Sequence, residues 1–239
     1  MHYIQAVFFD LYETVVTEFD PHWKPVPTTA ERLGLTQECF AVEWRARQQQ
    51  RMNGAHADYR SVLREICRAT VRPIDEALIE QLHAERLAAK ALPFAHIEDD
   101  IVTALAAIRR LGVKVGLISN CTAEEVAPWE RSALRALFDD AVLSFQVGYA
   151  KPARQIYLLA CQRLEVQPGR SIFVGDGGSD ELAGAASAGM TAYQATWFLA
   201  RWPTWKIAGR SPAQARYPRL QTPSEVIAIV EADGSTTSW

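Results

Sequence analysis

Four short stretches carry side chains able to do chemistry: Asp10-Leu11-Tyr12-Glu13-Thr14, Ser119-Asn120, Lys151-Pro152 and Gly175-Asp176-Gly177-Gly178-Ser179-Asp180. Taken singly, each has an ordinary reading, because a carboxylate after an apolar run commonly serves a turn or caps a helix. Taken in order, they would set the carboxylates of Asp10, Asp176 and Asp180, the Ser119 hydroxyl and the Lys151 amine along one edge of one sheet. So much charge in one place needs compensation, normally a cation. Gly177 and Gly178 permit the tight turn that would bring Asp176 and Asp180 to the same side.

The elements that must position these groups are legible as hydrophobic runs. Ala6-Val7-Phe8-Phe9 is unbroken and apolar and ends at Asp10, the pattern of a strand buried on both faces with a carboxylate at its tip. Similar runs are expected as strands at 113–118, 141–143, 171–174 and 191–195, with helices at 99–111, 153–164 and 180–188 between them. Alternation from about residue 97 onward predicts an α/β fold, a doubly wound Rossmann-like parallel sheet with ligands at the carboxyl ends of its strands. Residues 15–92 break the alternation and offer only helix signals, at 28–33, 36–52, 58–70 and 75–90, the last stopping before Pro93. The expected division is therefore a core of 1–14 and 93–239 with an all-helical insert, 15–92. The insert is placed to act as a lid over the strand ends, or alternatively as a packing subdomain. Residues 234–239 have the small, polar composition of a frayed tail.

Composition narrows the function classes. The 239 residues are 49% hydrophobic and 22% charged with a net charge of −3, which excludes disorder and removes the basic footprint of a nucleic-acid or polybasic membrane protein. Cys39, Cys67, Cys121 and Cys161 are widely spaced, so neither a disulfide framework nor a zinc finger is expected. No apolar stretch approaches the roughly 18 residues of a membrane span and no apolar leader precedes Val7, so a cytoplasmic setting is expected.

The four motifs in this order resemble the haloacid dehalogenase (HAD) superfamily of hydrolases over nearly the whole chain, and the insert resembles that family's helical cap. The resemblance implies that Asp10 is a nucleophile forming an aspartyl-phosphate, that Ser119 binds a phosphoryl oxygen and that Lys151 neutralises developing charge. It also implies that Asp10, the backbone carbonyl of Tyr12 and Asp176 hold Mg²⁺, with Asp180 ordering their surroundings. The residues agree: a carboxylate cannot approach a phosphate dianion without cations, and an oxygen-only ligand set selects a hard ion such as Mg²⁺.

The chain departs from the phosphatase pattern at Tyr12, where the family normally carries a second Asp as general acid and base. A phenol with a pKa near 10 can give a proton but is a poor base at neutral pH. Asp-x-Tyr resembles instead the 2-haloacid dehalogenases, whose leaving halide needs no proton. Those enzymes work without metal and typically show Ser-Asn where this chain has Gly175-Asp176, so the fourth motif favours metal and phosphate. The expectation is a Mg²⁺-dependent phosphatase of a small phosphorylated metabolite, with a metal-independent dehalogenase as alternative and a weakened, ligand-binding HAD-like protein as a third reading. Glu13, where the family commonly has Gly, is expected to face outward from its turn, the alternative being a replacement acid.

Trp44, Arg47 and Arg51 fall at spacings of three and four and share a helix face, so Trp44 and Arg47, with Asn120, are expected to bind an anionic small molecule. The bland alternative is a solvated face with Trp44 packed inward. His83 and His96 have no metal-ligand spacing. Trp197, Phe198, Trp202, Trp205 and Tyr217 alternate with arginines, which suggests a loop packed on the core or a subunit contact more than a nucleic-acid platform. A monomer or homodimer with neither nucleic-acid nor membrane partners is expected.

Overall fold

The computed structural model describes residues 4–22, 24, 26–203 and 216–235. Strand β1 (Ala6–Phe9) is buried along its whole length and lies at the centre of a six-stranded sheet. The helices of the insert follow: α1 (Thr29–Arg32), α2 (Gln37–Ala46), α3 (Gln48–Met52), α4 (Tyr59–Ala69) and α5 (Glu76–Ala95). The chain then returns to the sheet through α6 (Asp99–Arg110), β2 (Lys114–Ser119), β3 (Asp140–Leu143), α7 (Ser144–Val147), α8 (Arg154–Arg163) and β4 (Ser171–Gly175). It continues through α9 (Glu181–Ala188), β5 (Thr191–Ala195), β6 (Arg219–Leu220) and α10 (Ser224–Ser235).

All strand pairs are parallel, in the order β3-β2-β1-β4-β5-β6. The order reverses between β1 and β4, and such a switch point opens a crevice at the strands' carboxyl ends. The register pairs Phe9 with Val174 and Leu117, so the residues following β1, β2 and β4 emerge together. Alternate residues of β1 serve opposite faces. Val7 and Phe9 join Leu105, Ile108 and Val226 on the side of α6 and α10, while Phe8 joins Tyr157, Phe173 and Leu182 on the side of α8 and α9.

Packing explains where the elements depart from expectation. The 36–52 helix is broken at Arg47 into α2 and α3. Helix α5 runs through Pro93 to Ala95, so the expected boundary at 92 falls inside a helix; the buried side chain of Phe94, packed on the sheet core, offsets the backbone hydrogen bond that proline forfeits. Gly234 and Ser235 belong to α10, while 236–239 of the expected tail lie outside the described residues; β6 and α10 add a sheet edge and covering helix that the apolar patterning did not disclose. The insert has its own core, in which Leu33, Phe40 and Trp44 bridge Val62 and Ile66 to Leu63 and Ile79. Among the described residues no helix is long and apolar enough to cross a membrane.

Candidate active site

Asp10 follows the last residue of β1, and its backbone N–H donates to the Val174 carbonyl at 2.9 Å, which fixes it beside the end of β4. Asp176 follows β4 directly. Glu181 opens α9, and ligand oxygens of Asp10, Asp176 and Glu181 lie within 4.8 Å of one another, all three residues buried. Lys151, 5% exposed, donates from Nζ to both Asp10 Oδ1 and Glu181 Oε2. Two of the three carboxylates thus share one ammonium, and these four groups, if all ionised, would sum to −2.

Burial first, and the neighbouring charges after it, set the local proton affinities. Burial pushes the Asp10 carboxyl above its ordinary value, Lys151 opposes the shift and Asp176 reinforces it. Glu181 is pushed up further, by burial first and then by Asp10, again against Lys151. Burial disfavours the lysine's charge, but Asp10 and Glu181 outweigh it and hold Lys151 as an ammonium. A divalent cation would cancel the remaining charge, and a buried, oxygen-only donor set suits a hard ion. The residues therefore fit Mg²⁺, with Asp10, Asp176 and Glu181 as the oxygens within reach.

Backbone geometry decides which acid enters the cluster. Gly177, Ser179 and Asp180 all have left-handed φ values, +94°, +54° and +51°. This turn leaves Asp180 exposed and carries Glu181 inward, where its Oε1 accepts the Gly177 N–H at 2.9 Å. A Cβ on Gly175 would stand 2.2 Å from that same oxygen, so the glycine ending β4 leaves room for the inward glutamate. The expectation for Asp180 is corrected accordingly: the inward residue is its neighbour. The signal in the sequence was the Asp180-Glu181 pair, which offers two acids at the start of one helix, with only the turn deciding between them.

Ser119 ends β2 with its hydroxyl buried and without a hydrogen-bond partner, the condition of a donor kept for something outside the protein. Asn120, expected to bind substrate, instead grips the lysine loop. Its Nδ2 donates to the Lys151 carbonyl at 2.8 Å and its Oδ1 accepts the Lys151 N–H at 2.6 Å, which positions the ammonium. The Lys151-Pro152 peptide is cis.

Tyr12 does not present its phenol to Asp10. Its hydroxyl donates to the Glu125 backbone carbonyl, and the Lys90 ammonium of α5 lies 4.9 Å from its ring centroid. Burial, then Glu125 and Glu18, push its pKa far up, so it supplies no base at neutral pH. Glu13 is not an outward turn carboxylate: it is 8% exposed at φ +57° and accepts from Thr17 Oγ1, the Glu18 N–H and Trp202 Nε1 at 2.8, 2.9 and 2.7 Å. These donors pin it, and burial still raises its pKa. Trp197 Nε1 donates to the Thr14 carbonyl and Phe198 is buried, so this part of the aromatic segment packs on the loop after β1. Trp205, also singled out in the sequence, lies outside the described residues.

The insert meets this site through groups the motif reading did not include. Glu125 accepts from the Thr122 N–H and pairs with Arg86 at 2.8 Å and Lys90 at 3.5 Å. Burial works against its charge, but Lys90 and Arg86 hold its carboxyl below the ordinary range. Glu124 caps α4 by accepting the Tyr59 N–H. A Cβ on Gly54 would lie 2.1 Å from the Phe145 carbonyl, so the chain after α3 presses directly on α7. Arg47 is corrected as a ligand group, since its charge is taken up inside the insert by Glu43 at 2.6 Å and Glu65 at 3.3 Å. Trp44 stacks on Phe40 and meets Tyr59 edge-on, consistent with the packed alternative. A cleft of about 850 Å³ lies between Gln48, Gln49 and Met52 of α3 on one side and Asn120, Lys151 and Asp180 on the other.

Residues 4–189 match the family described as haloacid dehalogenase-like hydrolase. The chain belongs to this family and is a hydrolase. It is 33% identical over 205 residues to Phosphatase MT3486 of Mycobacterium tuberculosis (strain CDC 1551 / Oshkosh), covering 80% of this chain and 86% of that one. A glyceraldehyde 3-phosphate phosphatase of Methanopyrus kandleri is 32% identical over 102 residues, 41% of this chain, and the match spans only 43% of that relative. Among solved structures, the HAD phosphatase from Thermococcus onnurineus superposes with a TM-score of 0.61 at 22% identity, covering 95% of this chain and 97% of that one. The L-2-haloacid dehalogenase RSc1362 gives 0.57 at 23%, covering 95% and 99%. At these identities the HAD fold is common to phosphatases and dehalogenases alike.

Proposed function

We propose that this hydrolase is a Mg²⁺-dependent phosphatase of a small anionic phosphate ester, with Asp10 as phosphoryl acceptor and the helical insert as its cap. The carrying observation is the buried cluster of Asp10, Asp176 and Glu181, with Lys151 donating to Asp10 and Glu181. Such a site repels an anionic substrate until a divalent cation joins it, which is the charge logic of phosphoryl transfer to a carboxylate. Bound Mg²⁺ would offset the repulsion between the aspartate and the phosphoryl oxygens.

In this reading an Asp10 carboxylate oxygen bonds to phosphorus while the ester P–O bond breaks, and the departing alkoxide takes a proton from water in the cleft. Water then attacks phosphorus, releasing inorganic phosphate and restoring Asp10. Ser119 donates its unused hydroxyl to a phosphoryl oxygen, and Lys151 stays protonated throughout. Tyr12, engaged with Glu125, takes no part in proton transfer; it fastens the loop after β1 to the segment that receives the insert.

The dehalogenase reading draws support from Tyr12, which stands where an acid would otherwise be needed. Against it, a haloacid carboxylate would have to approach two further buried carboxylates. A panel of phosphate esters, assayed with and without Mg²⁺ in wild type and Asp10→Asn, tests the proposal. Metal-dependent turnover abolished in the variant is expected. Unimpaired Asp10→Asn activity would refute it, and halide release from 2-chloropropionate without metal would establish the dehalogenase instead.

A further inference from the structure

A narrow space lies between the insert and the loop after β2. Trp44, Arg51, His56 and Arg86 border it from the insert and Thr122 and Glu124 from the loop. Four buried polar atoms on these residues have no hydrogen-bond partner among the described residues: Arg51 Nε, Arg86 Nε, His56 Nε2 and Thr122 Oγ1. Orphaned buried groups are rare in folded proteins, and four around one space point to a shared partner.

Charge and size define that partner. Arg86 is paired with Glu125 at 2.8 Å, and Arg51, its guanidinium carbon 3.6 Å from the Trp44 ring centroid, lies in the field of the same carboxylate. The positive charge is therefore already answered, and a further acid, Glu124, borders the space, so an anion is not what the site lacks. What the two Nε–H groups lack is a hydrogen-bond acceptor, and a neutral one suffices. The space measures about 20 Å³, room for one water molecule, which needs roughly 10–15 Å³, and for little else.

Donors and acceptors divide in the way a water requires. The Nε–H groups of Arg51 and Arg86 can only donate. His56 Nδ1 lies 3.6 Å from Glu65 Oε1, which favours the tautomer protonated at Nδ1 and leaves Nε2 an acceptor. The Thr122 hydroxyl is able to accept as well, and its backbone N–H is fixed by Glu125 Oε2 at 2.9 Å. Two donors and two acceptors are the complement of one tetrahedral water, and buried waters commonly hold two to four such partners.

We infer that a single buried water bridges Arg51, Arg86 and His56 of the insert to Thr122 of the core and fastens the two parts together there. The bridge lies apart from the cluster at Asp10 and holds whichever reaction that cluster performs. It gives the loop that begins with Asn120 a second hold on the insert, beside the ion pairs of Glu125 with Arg86 and Lys90.

A crystal structure of the full chain, at a resolution that shows ordered waters, tests the bridge. One water is expected within about 2.7–3.2 Å of all four atoms, and crystals soaked in bromide should show no anomalous peak at that point. Calorimetric melting supplies a second reading that needs no crystals. Thr122→Val keeps the side chain's shape without the acceptor and should lower the melting temperature by about 2–4 °C, the shift of one lost hydrogen bond in a chain of this size. Thr122→Ser keeps the hydroxyl and should melt with wild type. An empty space, a bromide peak, direct bonds among the four groups, Thr122→Val as stable as wild type, or an equal loss in Thr122→Ser would each overturn the inference.

Discussion

The ionisable groups at the sheet edge and those joining the insert to the core are arranged differently. At the sheet edge, Asp10, Asp176 and Glu181 stand buried together with Lys151, which donates to Asp10 and Glu181. At the insert boundary, Glu125 meets Arg86 and Lys90, Lys90 also meets Glu18, and Arg51 adds to the positive field around Glu125. Acids gather round a base in the first place and bases round an acid in the second. Only the gathered acids suit a cation, which is why function is assigned to the sheet edge.

This contrast is open to attack by substitution. After Asp10→Asn, the largest loss is expected from Ser119→Ala: kcat should fall on the order of 10²–10³-fold, as when a transition-state hydrogen-bond donor is removed. The melting temperature should hardly move, because the hydroxyl has no partner to lose. A stability loss without a rate effect would make Ser119 structural. Next, Glu181→Gln should weaken Mg²⁺ binding by about 10–100-fold in a titration, while exposed Asp180→Asn changes it by less than about twofold. The opposite ranking would return the role to the residue the motif spacing selected.

Smaller effects test the insert boundary. Tyr12→Phe removes the bond to the Glu125 carbonyl and should cost about 1 kcal/mol in chemical denaturation, with the pH profile of kcat unchanged. A lost limb in that profile would make the phenol an acid. The mildest test is pH. Asp10, Glu13 and Glu181 have folded pKa values raised above their unfolded ones, so the metal-free folded state binds more protons and loses stability as pH rises above about 4. Protons and Mg²⁺ compete for two of these groups, so the rise in melting temperature on adding Mg²⁺ should grow from pH 5 to pH 8. A rise that shrinks over that range would mean the ion binds elsewhere.

Much of the scaffold was legible because its strands are buried on both faces and read as continuous apolar runs ending in polar residues. Asp10, Ser119 and Asp176 converge because β1, β2 and β4 are neighbours in a parallel sheet, and parallel strands end on the same side; Lys151 joins them from the loop after α7, held by Asn120. What escaped depended on single dihedral angles and tertiary packing. Glu181 rather than Asp180 turns inward because Ser179 and Asp180 are left-handed, a conformation their residue types do not announce. Glu13 is buried by Trp202, far away in sequence. Arg51 shared its expected helix face with Arg47, yet the break at Arg47 sent them to different partners, Arg47 to Glu43 and Glu65 and Arg51 to the Trp44 ring.

The central claim, that Asp10 accepts a phosphoryl group at a metal-completed site, is tested most directly by acid-quenching the enzyme during turnover of a phosphate ester and weighing the peptide that contains Asp10. The peptide should gain one phosphoryl group, only when Mg²⁺ is present and never in Asp10→Asn. Turnover with that peptide unmodified, or a phosphoryl group carried by another residue, would contradict the account.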